Sequence, residues 1–144
     1  MKKFDFPLGR VADWRETQAR LEESKLETLY AERRAIDAQE RALDREREEA
    51  EKSVAERGAK GHDLARLGEF RRFTVAERTR LEKLRADCSQ RIAAQIQVVM
   101  AKRRDLKLLE RLKQQKLIAW NRELHREIDA QADEAYLAKW NRGQ

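Results

Sequence analysis

The chain has 144 residues, of which 42% are charged and 6% aromatic, and its formal net charge is +6. That is the length of one domain, but poor material for a globular core; it is typical of long helices that bury one narrow stripe. Disorder would suit the charge, yet apolar residues recur at helical spacing almost to the C-terminus, which a disordered chain does not require.

Helix breakers are few. Pro7 is the only proline, and the glycines are Gly9, Gly58, Gly61, Gly68 and Gly143. Positions 10–57 and 69–142 therefore hold neither residue type that strongly disfavours a helix interior. The distribution predicts an all-α fold: an antiparallel two-helix coiled-coil hairpin, 1–144 as a single domain, with a first arm over about 7–57, a turn region over 58–74 and a second arm over about 75–140.

Asp5-Phe6-Pro7-Leu8 reads as the start of the first arm, with Pro7 at the first helical position, where its missing N–H costs nothing. That arm would run roughly 75 Å at 1.5 Å per residue. Leu29, Ile36, Leu43 and Ala50 are spaced by seven, and Trp14, Leu21, Thr28, Ala35 and Ala42 form a second row one position earlier. Together they predict a heptad seam containing small residues.

Residues 58–74 read as the turn, with a short helix possible across 62–72. The second arm carries a stripe of Leu81, Leu84, Cys88, Ile92, Val99, Leu106, Leu109, Leu117, Trp120, Leu124, Ile128 and Ala135. Leu106, Leu117 and Ile128 are eleven apart. An eleven-residue period predicts a nearly straight or weakly right-handed course there. The arms differ in charge: residues 13–57 contain 14 acids and 10 bases, residues 58–144 contain 12 acids and 20 bases. Opposite arms attract modestly, and pairs such as Glu16–Arg20, Asp37–Arg41 and Glu48–Lys52 have the favourable i,i+4 order.

Little in the sequence points to catalysis. His62 and His125 are far apart, neither neighbours Cys88, and no glycine-rich phosphate loop occurs. The chain is read as a non-enzyme with no cofactor and no metal site. Cys88, the sole cysteine, lies on the apolar stripe and reads as a buried structural thiol. Its being alone suits a reducing cytosol; no secretory signal follows Met1-Lys2-Lys3, and no run is apolar enough to span a bilayer. The stretch 66–116, with 15 bases and 6 acids, reads as a solvated face or a site for an acidic protein partner rather than for nucleic acid, since no aromatics are interleaved for stacking. Phe4, Phe6 and Trp140 near the ends, and Phe70 and Phe73 near the turn, are candidate anchors for protein partners.

The opening Phe4-Asp5-Phe6-Pro7-Leu8-Gly9-Arg10-Val11-Ala12-Asp13-Trp14-Arg15-Glu16 resembles the start of the FliJ family, which begins aromatic-x-Phe-x-Leu, then Arg-Val, then aromatic-Arg-Glu. Leu109-Glu110-Arg111-Leu112-Lys113 is similar to that family's Leu-Glu-x-Leu-Lys segment. Asp133-Glu134-Ala135 and the closing Trp140-Asn141-Arg142 are similar to its acidic-Glu-Ala and aromatic-x-Arg segments. The resemblance implies a component of the bacterial flagellar type III export apparatus, similar in fold to the central stalk of rotary ATPases, cytoplasmic and peripherally associated with the inner membrane. It implies three partners: the hexameric export ATPase, the cytoplasmic domain of the export gate, and export chaperones. The paired termini would enter the ATPase ring, with Phe6, Arg10, Arg15, Trp140 and Arg142 as contact residues. The turn end would meet the gate through Leu43, Phe70 and Phe73. A virulence type III stalk, a generic coiled-coil scaffold and a basic nucleic-acid-binding helix pair are the alternative readings.

Overall fold

In the computed structural model, which describes residues 2–143, the chain is two α-helices, α1 (Gly9–Glu56) and α2 (Gly61–Arg142), packed as an antiparallel hairpin. Contacts between them group into two compact units: Leu21–Val99, and Met1–Arg20 with Met100–Gln144.

α1 begins two residues later than expected. Pro7 and Leu8 form a turn, with the Gly9 N–H donating to the Phe6 carbonyl at 2.9 Å and the Ala12 N–H donating to the Leu8 carbonyl at 2.9 Å. α1 ends in a Schellman motif. The Ala59 N–H donates to the Val54 carbonyl at 3.2 Å and the Gly58 N–H to the Ala55 carbonyl at 3.4 Å, so two carbonyls that the helix leaves orphaned are satisfied. Gly58 adopts φ +84°, a left-handed conformation that costs a residue without a β-carbon little.

The connection is therefore residues 57–60, not 58–74. Gly68, Phe70 and Phe73 lie inside α2. A lone glycine lowers helix stability by only ~1 kcal/mol. Leu67 and Thr74, buried on either side of Gly68, hold that turn of helix against α1.

In the unit of residues 21–99, α2 presents Leu67, Thr74, Leu81 and Cys88, spaced by seven and all buried. α1 answers with the row Leu29, Ile36, Leu43 and Ala50, as expected. The second α1 row is a correction. Trp14 and Leu21 are more than half exposed, Thr28 and Ala35 are exposed, and only Ala42 is partly covered. The row that shares the seam is Leu26, Arg33, Glu40, Arg47 and Val54, continued N-terminally by Ala12 and Ala19. Its three charged members kept it out of a reading based on apolar residues. Long polar side chains can lie along the seam when their heads reach charge or water.

Beside this seam runs a ladder of ion pairs. Arg71 meets Glu51 at 3.2 Å, Arg78 meets Asp44, and Arg85 meets Asp37 at 3.3 Å. Both rows repeat every seven residues, so every second turn of each helix brings the next pair into register. Descending numbers on α1 against ascending numbers on α2 also fix the antiparallel sense. Arg91 adds a pair to Glu32 at 2.6 Å. Asp37, expected to pair along its helix with Arg41, instead turns across to Arg85, whereas Glu16 and Arg20 do pair along theirs at 3.1 Å.

In the other unit, Ala19 and Leu106 are fully or nearly buried. Arg103 meets Glu16 at 3.3 Å and Arg15 meets Asp105 at 3.9 Å. The segment before α1 is held by Trp120: its indole N–H donates to the Lys2 carbonyl at 3.2 Å, and the Phe4 ring packs edge-on to it at 5.9 Å. Beyond Leu124 every described residue of α2 is exposed, including Ile128 and Ala135, which the stripe would have buried.

Candidate protein-interaction site

The candidate residues sort by unit. Phe6, Arg10, Arg15, Trp140 and Arg142 all belong to the unit containing both termini, and Leu43, Phe70 and Phe73 all belong to the unit of residues 21–99.

Within the terminal unit the candidates differ in availability. Phe6 is 9% exposed, so its ring serves the chain's own packing. Arg10 is exposed. Arg15 is half-buried, lies 5.5 Å over the Trp14 ring and comes within 3.9 Å of Asp105. Trp14, read as seam, is instead an exposed ring beside that guanidinium. Trp140 and Arg142 sit in the last turn of α2, exposed. Trp140 shares a shallow surface pocket with Tyr136, Lys139 and Gly143. The helix end is capped by the Gly143 N–H donating to the carbonyls of Lys139 and Trp140, each at 3.1 Å, and the cations Lys139 and Arg142 suit its negative dipole end.

In the other unit, Leu43 is buried and Phe73 is 58% exposed; both line one open groove with Ala42 and Leu81. Phe70, half-buried, stands 6.4 Å from the Phe73 ring. A partner reaching this groove meets Phe73 first, while Leu43 forms its floor. Cys88 is buried as expected, with its thiol donating to the Leu29 carbonyl at 3.4 Å.

Charge was only partly legible. Residues 21–99 hold 17 bases and 17 acids, so the +6 of the chain comes from the remaining residues, with 16 bases and 10 acids. The basic run 66–116 is thus two different things. Arg71, Arg78, Arg85 and Arg91 are neutralised by acids of α1, and the excess lies beyond Val99. A spacing of seven shared by arginines on one helix and acids on the other was the available signal.

Among the described residues no group of three or more His, Cys, Asp or Glu side chains is placed to hold a metal ion, and no helix is long and apolar enough to cross a membrane. His62 and His125 lie in different units.

Fold and surface together define a coiled-coil hairpin that carries exposed aromatic and arginine side chains. Comparison with protein-family models, curated proteins and solved structures finds no match for the chain.

Proposed function

We propose that the chain is a non-catalytic component of the flagellar type III export apparatus that binds the hexameric export ATPase, the cytoplasmic domain of the export gate and export chaperones. The observation that carries this reading is the sorting of the candidate residues by unit. Arg10, Arg15, Trp140 and Arg142 fall in the unit that contains the termini, and Phe70 and Phe73 in the unit of residues 21–99, which contains the helix connection. The exposed guanidinium groups of Arg10 and Arg142 can pair bidentately with carboxylates of an ATPase ring, half-buried Arg15 can do so by leaving Asp105, and the exposed Trp140 ring can fill a pocket. The Phe73 groove offers the gate an apolar patch. The resemblance of the opening Phe4–Glu16 segment to the FliJ family points the same way.

Binding of purified ATPase and gate domain to two variants tests it. Arg10→Ala with Arg15→Ala is expected to lose the ATPase and keep the gate. Phe70→Ala with Phe73→Ala is expected to do the reverse, both with unchanged helicity. Wild-type protein should raise the turnover of the cognate ATPase and hydrolyse no ATP alone. Absence of stimulation where the ring assembles, or loss of both partners by both variants, overturns the reading.

A further inference from the structure

Beyond Val99, α2 carries a second continuous face, opposite its seam. At ~100° per residue, positions 100, 104, 107, 111, 118 and 122 fall on one side of the helix, and 129, 133, 136 and 140 continue it. Every one of these residues is exposed. Leu106, Leu109 and Leu117 point to the other side, where they are buried or half-buried.

The face is divided by charge. Its first half presents Arg104, Lys107, Arg111 and Arg122, and its second half Asp129 and Asp133. Apolar side chains stand at both ends: Met100 at one, Tyr136 and Trp140 at the other. Lys107 with Arg111, and Asp129 with Asp133, are like-charge i,i+4 pairs, an arrangement that opposes an isolated helix. The cross-helix ion pairs of this unit use Glu16, Arg103, Arg15 and Asp105 instead, leaving Lys107, Arg111, Asp129 and Asp133 without a charged partner among the described residues.

The face is also self-complementary. Reversed about position 120, it sets Lys107 against the partner's Asp133 and Arg111 against the partner's Asp129. Met100 then meets the partner's Trp140, and Arg104 meets the partner's Tyr136. Each contact occurs twice, as an isologous two-fold interface requires. Its arginine–carboxylate pairing is of the kind that α2 already makes with α1 at Arg71, Arg78 and Arg85. The repeat is eleven residues, as in Met100, Arg111, Arg122 and Asp133, so two such helices run side by side nearly straight.

We infer that this face of α2 binds a second copy of the chain, antiparallel and two-fold symmetric about position 120. The inference is independent of the export reading. Opposed charges fix the register, and the terminal Met and aromatic side chains supply the apolar contact.

Sedimentation equilibrium of the full chain tests it with two variants, Lys107→Glu with Arg111→Glu, and Asp129→Lys with Asp133→Lys. Wild-type protein is expected to dimerise at micromolar concentration, less tightly as salt rises. Each variant alone sets like charges against like and is expected to dimerise ~100-fold more weakly. An equimolar mixture of the two restores every opposite-charge contact and should recover a 1:1 heterodimer. Circular dichroism checks that both variants remain helical. A monomeric wild-type chain, a dimer that both variants retain, or a mixture that stays monomeric overturns the inference. A monomer that instead binds anionic vesicles or duplex DNA through Lys107 and Arg111 also overturns it.

Discussion

Residues 21–99 and residues 100–143 contain the same kinds of side chain put to different use. In the first stretch, arginines of α2 recur every seven residues opposite acids of α1 with the same repeat, and the charges of that unit cancel. In the second, α2 outruns its partner. Past Leu124 all its described side chains are exposed, and residues 100–144 hold 11 bases against 7 acids, +4 of the +6 carried by the chain. A helix rich in arginine is thus not in itself a basic surface. What decides is whether an acid stands at the matching position of the neighbouring helix.

The largest expected effect contrasts two leucines. Leu81 is 1% exposed in the heptad seam, so Leu81→Ala should cost about 2–4 kcal/mol in urea unfolding. Leu108, 58% exposed in the other unit, should change stability by no more than ~0.5 kcal/mol when replaced by Ala. Equal losses would break the contrast between the stretches.

Closure of the first stretch depends on Gly58. Gly58→Ala puts a β-carbon on a residue at φ +84°, and although open space surrounds it, the left-handed backbone should cost ~1 kcal/mol, measurable as a lower melting temperature.

The ladder is expected to contribute less. A double-mutant cycle of Arg78→Ala and Asp44→Ala should return a coupling of ~0.5 kcal/mol that shrinks as salt rises, because both side chains are about 40% exposed. A coupling above 2 kcal/mol would mean that the pair behaves as buried.

The smallest effect is electrostatic and local. The Arg80 guanidinium, hydrogen-bonded to Glu77, holds that carboxyl below its ordinary pKa of 4.5. Such a group favours the folded state above its unfolded pKa, and the contribution is lost as pH falls through the lower, folded value. Carboxyl NMR titration should find Glu77 titrating below 4.5 in the wild type and moving up in Arg80→Ala.

The hairpin was legible because breakers are rare and clustered, and because Leu29, Ile36, Leu43 and Ala50 repeat with Leu81 and Cys88. The length of the turn was not. Gly61 and Gly68 read as breakers, yet burial of Leu67 and Thr74 outweighs the modest helical cost of glycine. The partner row on α1 was hidden by Arg33, Glu40 and Arg47, while Trp14 and Leu21 imitate a seam and face outward. Apolar character alone cannot separate a seam from an exposed stripe on a helix with both. Among the candidate site residues, the exposure of Trp140 and Phe73 followed from the sequence; the burial of Phe6 and Leu43 depends on neighbours brought from elsewhere in the chain.

Every cross-helix ion pair described above takes its cation from arginine, none from lysine. The guanidinium stays charged at any pH a protein survives, so those contacts are indifferent to alkali. Reagents and enzymes that acylate amines leave them untouched as well. Lys107, Lys113 and Lys116, all exposed on α2, are where such chemistry would act, removing charge from the surface while the seam of arginines keeps its own.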